Sequence, residues 1–261
     1  MRMKIDLSMC CVLRGLALAA AGLSLAACNH GEADAVGASP PGAGAAPSAV
    51  VASTSYLLVT QARPEAPEKY LAIQRSTYEL CAQALRQRGL VPKPFPVVPP
   101  VLVTARTTYA SDGKRSVVRE VTRKLDFVPG QLEGACEMRW STLANVSVIG
   151  NGQEQTAETD EDGKVQVDPP QPSPAEPVRA SLLAPYTIPK TLNGVRLKCR
   201  DADNCIVDPA VVLVAQRTSP VEAASRADPI APFNTPIIVE PVSLLVGKPV
   251  DAALFSLSQA K

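Results

Sequence analysis

Proline interrupts this chain so often that a helix is confined to one place. Twenty-five prolines are spread over 261 residues, and each one removes a backbone donor and disfavours helix at and before its position. The stretch Pro67–Gly89, PEKYLAIQRSTYELCAQALRQRG, is the one that reads as a helix. Pro64 and Pro67 stand at its start, and Glu65 and Glu68 favour the positive end of the dipole. Arg86 and Arg88 suit the last turn, and Gly89 is a natural terminator. Tyr70, Ile73, Thr77, Cys81 and Ala84, flanked by Leu80 and Leu85, predict the buried face. The segment Val91–Pro100, VPKPFPVVPP, then enforces an extended connection.

From Val101 the periodicity changes to two. VLVTARTTY and SVVREVTRKLDF flank Ser111-Asp112-Gly113-Lys114, a hairpin signal. A three-residue loop at 112–114 sets Tyr109 opposite Val117, Ala105 opposite Val121 and Val101 opposite Leu125. Arg106 then faces Glu120 and Thr104 faces Thr122, whereas a two-residue loop sets Arg106 against Arg119. In Ala135–Gly150, residues Cys136, Met138, Trp140, Ala144, Val146 and Val148 alternate with polar ones and share an apolar face. KVQVD follows a polar segment, and PPQPSPAEP at 169–177 makes a stiff connector. Beyond it GVRLKC, CIVD, AVVLVA, PIIVEPVSLLV and ALFSL read as strands, confined by their prolines to edges or short pieces. The expected class is α+β and mostly β: one N-terminal helix packed on an antiparallel meander, then a strand-rich, proline-rich region. The expected segments are 1–27, 28–52, 53–168, 169–178 and 179–261.

The first two segments concern export. Arg2, Lys4 and Arg14 precede the apolar run Gly15–Ala27, GLALAAAGLSLAA. Thirteen helical residues reach about 20 Å, short of a bilayer core of about 30 Å, so a cleaved signal is favoured over a permanent span. The run ends in Leu25-Ala26-Ala27-Cys28, which resembles the lipobox of bacterial lipoproteins. The resemblance implies cleavage after residue 27 and lipidation of Cys28, with the membrane as a partner through that anchor. The other reading is an ordinary signal peptide that leaves Cys28 as a thiol. In this class an Asp after the Cys retains the protein in the inner membrane, so Asn29 points to the outer membrane, facing the periplasm. Residues 29–50, rich in Ala, Gly, Pro and Ser, read as a tether with a root-mean-square reach of roughly 25 Å.

Four cysteines besides Cys28 remain in the exported chain: Cys81, Cys136, Cys199 and Cys205. In an oxidising compartment an even number suggests two disulfides with three connectivities, against the alternative of buried thiols. Cys199 and Cys205 flank the polar, turn-like RDADN, so they make the simplest pair. That leaves Cys81 with Cys136, whose strand face is the apolar layer that would receive the helix.

The chemistry is bounded mainly by what is missing. Residues 1–27 hold three of the 26 basic and one of the 25 acidic residues, leaving 23 against 24 and a formal charge of −1. No electrostatic footprint for nucleic acid follows from that balance. Aromatics make up 4% of the chain with one Trp, Trp140, too few for stacking platforms. The single histidine is His30, inside the tether, which excludes Ser-His-Asp, Cys-His and His-based zinc sites from the folded part. The four cysteines lack C-x-x-C spacing, and no Gly-rich phosphate loop or cofactor motif is present. Glu158, Asp160, Asp162 and Gly163 match the first half of a calcium loop, but Pro169 stands where the closing Glu belongs. Those carboxylates read as an exposed Asp-Gly turn, and DADN at 201–204 offers the same two readings.

Three function classes stand after these exclusions. The first is a non-catalytic envelope lipoprotein that binds another envelope protein or supports an assembly. The second is a carrier whose curved sheet holds a lipid or other apolar ligand. The third is a hydrolase with a carboxylate or Ser-Lys site.

Overall fold

The computed structural model describes residues 55–130, 134–160, 162–173, 180–210, 221–227 and 235–257. All belong to one compact unit, Val50–Lys261. The signal-like run, Cys28 and AVVLVA beyond Ala210 lie outside the described residues.

A single antiparallel sheet of twelve strands carries the fold. In chain order the strands are β1 (Tyr56–Pro64), β2 (Ala105–Ser111), β3 (Arg115–Phe127), β4 (Met138–Gly150), β5 (Gln153–Thr159) and β6 (Val165–Val167). They continue with β7 (Gln171–Pro172), β8 (Ile188–Leu192), β9 (Val195–Cys199), β10 (Asn204–Val207), β11 (Glu222–Ala227) and β12 (Ile237–Val246). Helix is sparse among the described residues: α1 (Pro67–Tyr70), α2 (Ala72–Gln87), α3 (Ala180–Leu183) and a 3-10 turn at Ala252–Phe255. The spatial order is β6-β5-β4-β3-β2-β1-β12-β11-β10-β9-β8, with β7 beside β5.

Strands β1–β7 and β8–β12 therefore supply two wings of one sheet. They meet through β1, which pairs with β2 on one side and β12 on the other. Within 169–178, Gln171–Pro172 itself pairs with β5. At the β1–β12 seam Gln61 lies opposite Glu240 and donates to its Oε1 at 2.9 Å, and the Arg63 guanidinium reaches the same oxygen at 3.1 Å.

The second wing curls on itself. Tyr56 and Leu58 of β1 share a buried cluster with Val195, Leu197 and Cys199 of β9, although three strands separate β1 from β9 in the ladder. β12 also touches β9. The β8–β9 hairpin turns on Asn193-Gly194, with φ of 51° and 77°, the left-handed pair that a two-residue turn between twisted strands demands. Asn193 Nδ2 then donates to the Pro241 carbonyl of β12 at 2.8 Å, tying that turn across the curl.

Pro241 tests the rule that proline avoids central strands. β12 is interior in the order, yet β11 pairs only with Ile237–Val239, and the register with β1 shifts between Val59 and Thr60. Beyond residue 239 β12 thus has a local edge with a bulge, where a missing donor costs no ladder bond. The terminal strands carry proline as well: Pro189 in β8, and Pro169, Pro170 and Pro172 along the chain beside β5. These edges are poor templates for further pairing.

The β2–β3 hairpin corrects the expected register by one residue. Ala110 faces Val117, Arg106 faces Val121 and Ala105 faces Thr122, in place of Tyr109 with Val117, Arg106 with Glu120 and Thr104 with Thr122. Because side chains alternate, the slip sends the two residues to opposite faces: Val117 joins a cluster with Ala110, Val146, Ala157 and Phe255, and Tyr109 packs against the other one. Asp112 is the cause. Its Oδ1 accepts the amides of Lys114 at 2.9 Å and Arg115 at 2.7 Å, and its Oδ2 pairs with the Arg115 guanidinium at 2.8 Å. The Asp112 amide donates to the Arg115 carbonyl, closing the loop one residue later than composition suggests.

Burial pushes the Asp112 carboxyl up, but hydrogen bonds from the Arg115 and Lys114 amides and the Arg115 guanidinium outweigh it and hold the group below the usual carboxylate range. A depressed folded pKa gives stability that is present above the unfolded value and is lost as the pH falls through the folded one. Asp112→Ala is accordingly expected to cost about 1 kcal/mol at neutral pH. The difference from wild type should close on acidification, as read from urea midpoints at about pH 7 and about pH 3.

The segment ALFSL also differs from expectation. It forms the 3-10 turn instead of a strand, with the Asp251 carboxylate accepting the Ala253 amide at 2.9 Å. Phe255 covers the cluster of Ala110, Val117, Val146 and Ala157, and the Arg115 guanidinium lies 4.4 Å from its ring centroid.

Candidate functional site

Helix α2 packs on the far end of β3 and β4 through Tyr78, Ala82 and Leu85, which with Leu71 just before the helix join Leu125, Cys136, Met138 and Leu102 in a third buried cluster. The expected face is buried only in part: Leu85 is buried and Tyr70 and Cys81 pack against the cluster. Ile73 and Leu80 are 48% and 70% exposed, and Thr77 and Ala84 are exposed beside them. The helix carries two apolar stripes, and the one containing Tyr78, Ala82 and Leu85 faces inward. The Tyr78 hydroxyl donates to the Lys93 carbonyl at 2.7 Å, and the ring meets Phe95 edge-on at 5.3 Å between centroids. The Arg75 guanidinium lies 4.6 Å from the Phe95 ring centroid. The proline-rich segment after the helix is thus a strap packed beside α2.

Both disulfides are formed. Cys81 on the flank of α2 joins Cys136, with the Cα atoms 5.8 Å apart. Cys136 is fully buried in the turn before β4 and holds φ at 49°, a left-handed conformation costly for a side-chain-bearing residue. Cys199 and Cys205 lie directly opposite each other on β9 and β10, with Cα atoms 3.9 Å apart. They close a turn in which the Asp201 carboxylate accepts from the side chain of Asn204 and from the amides of Asp203 and Asn204. The Asn204 side-chain bond leads in holding Asp201 below the usual carboxylate range. RDADN is therefore occupied with its own turn.

A polar cleft of about 390 Å³ lies on the solvent side of the first wing. Its floor is one cross-strand row: Glu120 of β3, Asn145 of β4, Glu158 of β5 and Gln166 of β6 stand opposite one another in sequence. Thr122, Asp160 and Lys164 line it further. Of the three carboxylates considered for calcium, Glu158 and Asp160 line this cleft and Asp162 is exposed beyond it. The Oδ1 of Asp160 accepts the amides of Asp162 at 3.0 Å and Lys164 at 2.8 Å, an Asx turn that leads into β6. Among the described residues no three His, Cys, Asp or Glu side chains converge as a metal site requires. The cleft is a hydrogen-bonding surface in which Leu143 and Ala144 are the apolar lining residues. Its polar row went unread from sequence because a solvent-facing strand face carries the same alternation whether or not it is concave.

Comparison with known protein families, curated proteins and solved structures finds no match for this chain.

Proposed function

We propose that this chain is a non-catalytic lipoprotein of the bacterial cell envelope, held through Cys28, at the outer membrane and facing the periplasm, that serves as a protein-interaction or assembly-support module. One observation carries the interaction reading. Of eleven large apolar side chains exposed among the described residues, six fall between Ile73 and Val101. Single exposed hydrophobics are ordinary, whereas their concentration on α2 and the segment that follows it supports a docking surface there. The two disulfides suit an oxidising compartment. The cleft supports an apolar cargo poorly, because carboxylates, amides and a lysine line it.

The anchoring part of the reading is tested by fractionation. Cys28→Ser is expected to move the protein from the membrane fraction to the soluble periplasmic fraction, with both disulfides intact on non-reducing peptide maps. Retention of the variant in the membrane fraction would sink the lipid anchor.

A further inference from the structure

We propose that the strap from Leu90 to Val101 is a preformed polyproline II ligand that docks into an aromatic-lined groove on a partner protein. This rests on the reading of the chain as an interaction module, and adds the surface and the chemistry of what it binds.

Val91, Pro94, Val97 and Pro100 are exposed at three-residue spacing, with Lys93 and the two ends, Leu90 and Val101, exposed as well, while Pro92, Phe95, Pro96, Val98 and Pro99 are partly buried. Three residues per turn is the period of polyproline II, and neither a strand nor an α-helix has it. The sequence enforces that backbone. Prolines occupy positions 92, 94, 96, 99 and 100, and residues 91, 93, 95, 98 and 99 each precede a proline. Within 91–100 only Val97 escapes both restrictions.

The inner side of the strap is bound to the fold. Phe95 and Val98 pack against the α2 cluster, and the Lys93 carbonyl accepts from the Tyr78 hydroxyl. The Lys93 amide donates to the Ala135 carbonyl at 2.8 Å, and the Leu90 amide donates to the Leu85 carbonyl at 2.9 Å. The outer side is a ridge whose two valines are the most exposed large hydrophobics described, Val91 at 89% and Val97 at 88%. At about 3.1 Å per residue the ridge is about 28 Å long. Its conformational entropy is lost before any partner arrives, which lowers the cost of binding.

The backbone chemistry selects among occupants. A polyproline II segment has no internal hydrogen bonds, and its prolines donate none, so the ridge offers carbonyl acceptors beside apolar rings. Pressed into hydrocarbon, those carbonyls would be buried without donors. A second copy of this chain offers more acceptors of the same kind, and at 4% aromatic content it is a poor source of an aromatic groove. Tyrosine hydroxyls and tryptophan N–H groups supply donors together with flat apolar faces, which is how grooves that read this helix work.

Benzoylphenylalanine placed at Val97, and separately at Leu80 on α2, in the full chain within native envelopes tests this, with deca-proline as competitor. The Val97 probe is expected to give an adduct with another protein, at a peptide containing Tyr or Trp. Deca-proline should reduce that adduct about fivefold or more, and Pro94→Ala should weaken it while lowering the thermal midpoint by no more than a few degrees, with both disulfides intact. An adduct indifferent to deca-proline, one formed only with phospholipid or with a second copy, or no adduct at Val97 overturns the strap as ligand. A protein adduct at Leu80 alone overturns it too while leaving the interaction module standing; no protein adduct at either position overturns both.

Discussion

Replacing Cys81 and Cys136 together by alanine should lower the unfolding free energy by about 4 kcal/mol, the loop-closure entropy of a cross-link of this span. The bridge joins residues 55 apart, whereas Cys199–Cys205 joins residues 6 apart. On the same argument removal of the shorter one costs about 2 kcal/mol. Removal of the longer bridge should cost more than removal of the shorter, and urea unfolding of both variants measures the order. Trp140, the single tryptophan, packs against the α2 cluster with the Arg123 guanidinium 4.6 Å from its ring centroid, so its fluorescence reports on the region that the longer bridge pins. Position 136 supplies an internal control. At φ of 49°, Cys136→Gly in place of Cys136→Ala should return about 1 kcal/mol, because glycine adopts the left-handed region freely. Equal costs for the two bridges would mean that the unfolded chain is already constrained near Cys81 and Cys136.

Leu58→Ala is expected to cost about 3–4 kcal/mol, the range for a leucine truncated in a packed core that cannot collapse around the gap. Leu58 is wholly buried in β1 among residues of β9, β10 and β11. The consequence reaches further than its own cluster, because β1 also pairs with β2 and so with the wing that carries Trp140. The midpoint reported by Trp140 fluorescence should therefore fall together with that reported by amide exchange at Leu197 in β9. If the Leu197 probe moves and the Trp140 probe does not, the wings unfold separately and β1 does not couple them.

Local patterns carried much of the strand content. β3, β4 and β12 lie where alternation or β-branched runs placed them, and Ala144, Val146 and Val148 share a face with Met138 and Trp140 because period two survives any packing. Long-range choices were another matter. YLLVTQARP, the segment that became β1, draws its importance wholly from partners about 50 and 180 residues away. The stripe buried by α2 was ambiguous because Ile73, Leu80 and Ala84 form as good a helical repeat as Leu71, Tyr78 and Leu85. The row Glu120, Asn145, Glu158 and Gln166 exists only once four strands are in register.

Chain chemistry alone placed proline where helix could not form, put a turn at Ser111-Asp112-Gly113-Lys114, and restricted the strap to an extended backbone. These are steric consequences of a residue and its immediate neighbours, so they hold before any tertiary contact forms. Folding chose which stripe of α2 turned inward, which face of β2 met Val117, and that β1 would stitch both wings into one sheet. Each of those selections compares burial on alternative faces, and the loser differs by only a few side chains. Single polar anchors accompany two of these choices: the Tyr78 hydroxyl on the Lys93 carbonyl, and the Asp112 carboxylate on two amides.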